Sequence, residues 1–256
     1  MSCTFTNDDN ATIKLVQGYF SNYSISFSER DNHEIIFRRI NTYLINNKII
    51  QNNIIDLGAW IGDNSIPWGK NIEGIVYAID PSPDNISFIT ETCKLNNINN
   101  VKCIEKAISD KPGRLSTHES INHCSFVYDK KPEAECKHIV DSTSLDYLYE
   151  AKEIDNIGYI HLDVEGMEHN VLCGSKNIIQ TFHPVISFEQ HLEIDDYDII
   201  LKLLNDNDYH VFLVDEILPG CRLDCRNSFA FHKNIYNPRL IDDINSYLGR
   251  NIMIPK

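Results

Sequence analysis

Several apolar runs in this 256-residue chain end in acids and glycines, which is where a ligand-binding edge would be built. Asp56-Leu-Gly58-Ala59-Trp60-Ile-Gly62-Asp63 closes one run, and Asp80 closes the next. Glycines at such a turn let a ligand approach the backbone, and the helix that follows offers free N–H groups to a negative group. The dinucleotide fingerprint G-x-G-x-x-G requires Gly at positions 60 and 63, where this chain has Trp60 and Asp63, so pyrophosphate binding is disfavoured. Asp56, Asp63 and Asp80 make the crevice negative, which suits a ligand carrying an ammonium and a sulfonium. Asp80, ending its run, is placed to accept hydrogen bonds from both hydroxyls of a ribose, which fits an adenosine.

These residues need strands and helices in alternation to bring them to one edge. Ser28 as a cap, followed by Ile35, Ile36, Phe37, Ile40, Tyr43 and Leu44, predicts an amphipathic helix. Asn53 to Gly58 reads as a strand buried on both faces. Asp63-Asn-Ser-Ile-Pro67 reads as a helix start, Gly74 to Asp80 as a second strand, and Ser82-Pro83 as a cap opening the next helix. Val101 to Ile108 is predicted as a third strand, stopped by Ser109-Asp-Lys-Pro-Gly. Residues 111–141 break the rhythm and read as an insertion that shapes an acceptor site. A short helix at Ser144, a strand from Ile157 to Leu162, a helix from Met167 with Gly174 at C′, and a strand from Val185 resume it. A helix from Asp195 to Asn207, an antiparallel pair at Tyr209 to Asp215 and Ser228 to His232, and a helix after Pro238 complete the chain. Strand and helix in alternation imply right-handed crossovers and a parallel sheet. No repeat or linker divides it: residues 1–48 read as an N-terminal cap and 49–256 as the main domain.

Composition narrows the function. With 23 Lys and Arg against 37 Asp and Glu the formal charge is −14, which disfavours general nucleic-acid binding. A 42% hydrophobic and 23% charged content is that of a folding globular chain. No apolar run approaches the roughly 20 residues of a membrane span. The first residues carry neither a basic leader nor an apolar core, so a cytoplasmic protein with reduced thiols is expected. Cys221 and Cys225 lack C-x-x-C spacing, and His118, His123 and His138 with Cys124 and Cys136 match no zinc pattern, so scattered thiols are expected.

Ile55-Asp-Leu-Gly-Ala-Trp-Ile-Gly, Val76-Tyr-Ala-Ile-Asp-Pro-Ser-Pro, Ala107-Ile-Ser-Asp with Gly113, Ser144-Leu-Asp, His161-Leu-Asp-Val-Glu-Gly-Met-Glu with Val171-Leu-Cys-Gly, and Pro184-Val-Ile-Ser-Phe-Glu follow in order. Over about residues 50 to 192 this resembles the FkbM-type S-adenosylmethionine-dependent methyltransferases. The resemblance implies a Rossmann-like class I methyltransferase fold, an α/β architecture with a seven-stranded mostly parallel sheet, an antiparallel last strand and helices on both faces. It implies O-methylation of a hydroxyl, most often on a sugar or glycan. It places the methionine end of S-adenosyl-L-methionine at Asp56, Gly58 and Gly62, with Ala59 and Trp60 in the same turn, and the ribose at Asp80. Adenine is expected near Pro81, Ser82, Lys106 and Ala107. Trp60 replaces a usually small or polar residue and narrows the pocket, Asp80 stands where Glu is commoner, and substitutions at 58 and 62 are expected to exclude the ligand sterically.

Methyl transfer is an in-line displacement that needs the acceptor oxygen held in place and its proton removed. The acceptor must approach over the ends of the middle strands, which hold Asp163 and Glu165, then Glu189, Gln190 and His191. Two arrangements are open. Asp163 and Glu189, with Gln190, present hard oxygens to Mg²⁺, which clamps a sugar diol. Alternatively His191 or Glu189 takes the proton, while Asp163 and Glu165 hydrogen-bond substrate hydroxyls. Glu168 reads as a helix-dipole carboxylate and His161 as a core histidine. An NAD-linked oxidoreductase is the alternative enzyme, opposed by the missing glycine; a catalytically inactive binding protein of the same fold is opposed by the retained acids.

Overall fold

The computed structural model describes residues 3–6, 12–29, 34–117, 127–128, 138–192, 197–218 and 223–256. A hairpin of β1 (Cys3–Thr6) and β2 (Thr12–Leu15) leads to helices α1 (Ser21–Glu29) and α2 (Ile35–Asn46). Then come β3 (Asn53–Leu57), α3 (Ser65–Asn71), β4 (Val76–Asp80), α4 (Pro83–Leu95) and β5 (Val101–Glu105). Four short strands follow: β6 (Ala107–Ile108), β7 (Gly113–Thr117), β8 (Val127–Tyr128) and β9 (His138–Thr143). The second half runs α5 (Leu145–Glu150), β10 (Ile157–Leu162), α6 (Glu168–Cys173), α7 (Lys176–Phe182), β11 (Val185–His191), α8 (Tyr197–Asp206), β12 (Tyr209–Val214), β13 (Cys225–His232), α9 (Pro238–Leu248) and β14 (Met253–Pro255).

The main sheet has eight strands in the order β14-β12-β13-β11-β10-β3-β4-β5. From β11 through β5 the neighbours are parallel, while β13 inserts antiparallel between β11 and β12. The strand beyond the expected seven is β14, which pairs antiparallel with β12 at the edge. Every residue of β3 and β4 is buried, as strands covered on both faces must be. Alternation sorts their side chains: Ile55, Leu57 and Ile79 face α5 to α8, and Ile54 and Val76 face α2, Trp68 and α9. A third cluster packs β2 and α1 against α4 through Ile13, Leu15, Phe27, Phe88 and Ile89. Among the described residues no helix is long and apolar enough to cross a membrane.

Local departures have physical causes. The expected third strand divides at Lys106: Val101–Glu105 stays in the main sheet, and Ala107–Ile108 joins a separate four-stranded sheet by pairing with β9. That sheet contains the described part of 111–141; His118, His123, Cys124 and Cys136 lie outside the described residues, as do Asp195 and Cys221. Ser28 does not cap α2. It sits inside α1, donating to the Ser24 carbonyl, and α2 starts after Glu34, which adopts φ 52°. Ser82 caps as expected, accepting from the Asn85 N–H, and Ser144 proves to cap its short helix likewise, accepting from the Tyr147 N–H. Gly174 ends α6 at φ −88°, so left-handed freedom is not its purpose; a Cβ there would lie 2.3 Å from the Ser109 carbonyl oxygen.

Candidate active site

The turn from β3 to α3 is held by backbone bonds to the neighbouring strand. The N–H groups of Gly58 and Ala59 donate to the Ile79 carbonyl at 3.0 and 3.1 Å. Gly58, Trp60 and Gly62 all take positive φ (73°, 45° and 71°), and the strained non-glycine is Trp60. Its N–H donates to Asp80 Oδ2 at 2.9 Å. Asp80 Oδ1 accepts from the Ser82 N–H at 2.8 Å and from Asn85 Nδ2 at 3.0 Å. Asp80 therefore ties two crossover turns together and is no solvated loop residue. Burial pushes its carboxyl up to about 6, against the lowering effect of those three donors.

Asp56 is buried and accepts a hydrogen bond from the Ser65 hydroxyl at the start of α3. Burial pushes it up to about 7; Ser65 and Arg38 oppose the shift, while Asp63 and Asp80 add to it. The two glycines exclude bulk for reasons other than the ligand. A Cβ on Gly58 would stand 1.8 Å from the Asp163 carbonyl oxygen, and one on Gly62 would stand 2.8 Å from Ile89 Cγ1. Bulk at either position is therefore obstructed by the protein itself. Pro81 is half-buried and Ser82 fully so; Ala107 packs with Leu115 and Met167, and Lys106 links β5 to β6.

Asp163 follows β10, its N–H donating to the Leu57 carbonyl at 3.0 Å. Its half-buried side chain receives no hydrogen bond or ion pair from the described residues. Burial, then the charges of Glu189, Glu165, Glu34 and Glu168, hold its carboxyl well above the usual range. The following turn places exposed Glu165 at φ 54° and Gly166 at φ 92°. Glu168 does more than face a helix dipole. It is buried, its Oε1 accepts from the N–H groups of Val164 (3.1 Å) and Gly166 (3.4 Å), and its Oε2 accepts from Gln190 Nε2 at 2.9 Å.

Gln190 is set apart from Glu189 in the expected trio of hard oxygens, because successive side chains of β11 point to opposite faces, and its Nε2 is turned to Glu168. Glu189 joins His191 and Cys225 instead: the Cys225 thiol donates to Glu189 Oε1 at 2.6 Å, and the three residues' ligand atoms lie within 4.8 Å of one another. Burial and then Glu34 push Glu189 up to about 7, opposed by the Cys225 hydrogen bond. His161 is the core residue expected. It lies between Phe37 and Trp68, with centroids 4.9 and 5.7 Å away, bonds Ser187 through Nδ1, and is driven by burial down to about 3.

Sequence reasoning missed a group contributed by α2 and the C-terminal strands. Arg38 Nη2 lies 2.7 Å from Asp63 Oδ2 and 3.3 Å from Glu34 Oε2, and Nη1 donates to Asn64 Oδ1 at 3.0 Å. Glu34 Oε1 accepts from Asn227 Nδ2 at 2.7 Å, and Glu216 accepts from the Ile36 and Phe37 N–H groups. The available signal was the i, i+4 spacing of Glu34 and Arg38 beside an apolar stripe.

Residues 56–211 match the methyltransferase FkbM domain, and the chain belongs to that family. Among solved structures, the methyltransferase FkbM from Methylobacillus flagellatus KT is similar with a TM-score of 0.51 and 20% identity over 70% of this chain. This chain spans 43% of that protein's length. A SAM-dependent methyltransferase from Aquifex aeolicus matches with a TM-score of 0.47 and 12% identity, covering 84% of this chain and 98% of that one. M. jannaschii TYW2, solved in complex with AdoMet, gives 0.43 and 16%, covering 90% and 84%. No curated protein sequence matches the chain. The family and the mostly parallel sheet define a class I, Rossmann-like methyltransferase fold.

Proposed function

We propose that the protein transfers a methyl group from S-adenosyl-L-methionine to a hydroxyl of a sugar or glycan. Family membership supports methyl transfer, and the residues fit the cofactor. Asp56, Gly58, Ala59, Trp60 and Gly62 would surround its methionine end, with Asp80, Pro81, Ser82, Lys106 and Ala107 toward the nucleoside. Asn85 Oδ1, beside Asp80, is buried with no hydrogen-bond partner. A buried acceptor left so costs about 1–3 kcal/mol, which a donor on the nucleoside would offset. When bound, the cofactor supplies a methyl on cationic sulfur that needs no further activation.

The observation that carries the reading is the contact between the two halves of the site: Gly58, in the cofactor turn, abuts the carbonyl of Asp163. The Asp163 carboxyl has no hydrogen-bond partner among the described residues, and its raised proton affinity makes its ionised form a stronger base for the acceptor's hydroxyl proton. Glu165 adds a further acceptor for a polyol's hydroxyls. Calorimetry with S-adenosylmethionine and NAD tests the cofactor, and NAD binding without response to the sulfonium compound would overturn the reading. Labelled-methyl transfer to sugar nucleotides, free glycans and lipid-linked sugars tests the acceptor; label appearing only on amines would overturn O-methylation.

A further inference from the structure

We infer that Glu189, His191 and Cys225 form a three-ligand site for a zinc ion, with a fourth coordination position open. In the antiparallel ladder between β11 and β13, His191 lies directly opposite Cys225. Glu189, two residues back along β11, falls on the same face, and the intervening Gln190 is turned toward Glu168. Two neighbouring strands thus present a thiol, an imidazole and a carboxylate whose ligand atoms lie within 4.8 Å of one another. Cys225 is buried, while Glu189 and His191 are half-buried, so among the described residues the group is more closed at the thiol than at the other two ligands.

The donors choose the metal. Mg²⁺ prefers six oxygens in near-octahedral array, whereas sulfur, nitrogen and oxygen together suit zinc, and three protein ligands plus an exchangeable one is the pattern of zinc sites that act on substrates. Binding releases the Cys225 thiol proton to solvent and forms a zinc–thiolate bond. The Sγ to Oε1 separation, now 2.6 Å, then widens to about 3.5 Å for tetrahedral coordination. Glu34 and Glu165 act electrostatically against ionisation of Glu189, a repulsion that a bound dication would reduce. On the methyl-transfer reading, on which this clause alone rests, the open position receives an acceptor hydroxyl beside Asp163.

The full chain, stripped with chelator, is titrated with Zn²⁺ by calorimetry and with Co²⁺ by absorption spectroscopy. One tight equivalent is expected, with a thiolate-to-cobalt charge-transfer band and ligand-field bands of tetrahedral intensity. Losing an outer-shell partner typically costs 10–100-fold in metal affinity, so losing a ligand through Cys225→Ser should cost about 100-fold or more. The charge-transfer band should vanish with it. His191→Ala should weaken binding while retaining that band. Should Cys225→Ser fail to fold, zinc protection of thiols in the native chain, mapped by peptide mass after labelling, must fall on Cys225. Absence of uptake, a spectrum without sulfur ligation, protection elsewhere, or equal binding by folded Cys225→Ser overturns the site. Zinc uptake without S-adenosylmethionine binding upholds the site and removes the methyl-transfer reading; cofactor binding without zinc uptake does the reverse.

Discussion

Arg38 Nη2 of helix α2 sits 2.7 Å from Asp63 Oδ2, the acid that follows the glycine turn. The ion pair is nearly dry, with only 11% and 13% of the two side chains exposed, and Arg38 also bonds Asn64 and Glu34. A helix from the first 48 residues therefore anchors the start of α3 and the acid at its own N-terminus. Arg38→Ala leaves both acids without this cation, and breaking a buried pair costs about 3–5 kcal/mol. Urea denaturation should show a loss toward the lower end, since the side chain keeps some exposure. A loss below about 1 kcal/mol would mean that the pair is solvated.

Asp163→Asn should lower kcat by about 10²- to 10⁴-fold, the range for loss of a general base, with little change in cofactor affinity. Single-turnover kinetics and calorimetry on one preparation separate the two. Undiminished turnover would remove Asp163 from proton transfer.

Gly58→Ala should destabilise the fold by about 2–5 kcal/mol, combining positive-φ strain with collision against the Asp163 carbonyl. Gly249 supplies the control, since its φ is +75° with nothing within 4 Å of an added Cβ. Gly249→Ala should cost only about 1 kcal/mol. Equal losses in thermal or urea melts would show that backbone strain alone sets the requirement at Gly58.

Because burial pushes Asp56 up to about 7, the folded chain holds a proton there that the unfolded chain releases near pH 4. The stability this provides is complete below pH 4 and is lost as pH rises through 7, by about 4 kcal/mol in order of magnitude. Asp56→Asn keeps an acceptor for Ser65 and removes the titration. Urea midpoints at pH 5 and pH 8 should differ less in the variant than in the parent, and parallel profiles would show that Asp56 is ionised throughout.

The strands and their acidic ends were legible because β3, β4, β10 and β11 are short runs rich in apolar residues with small or charged residues at or just past their ends. Ser82 was legible as a cap because a cap acts within three residues of itself. What escaped depends on contacts between distant segments. Arg38 meets Asp63 across 25 residues, and Cys225 meets Glu189 across 36. The separation of Gln190 from Glu189 was available from the two-residue period of a strand and was overlooked. The division at Lys106 was hidden because Ala107 and Ile108 are as apolar as the strand before them. The edge strand β14 is three residues ending in Pro255, too short for periodicity to register.

The packing of Gly58 on the Asp163 carbonyl has an evolutionary corollary. Relatives with different acceptors cannot remodel the backbone at Gly58 and the backbone at Asp163 independently, because added bulk on one immediately displaces the other. Diversification is channelled instead to exposed side chains such as Glu165, whose replacement leaves that seam in place.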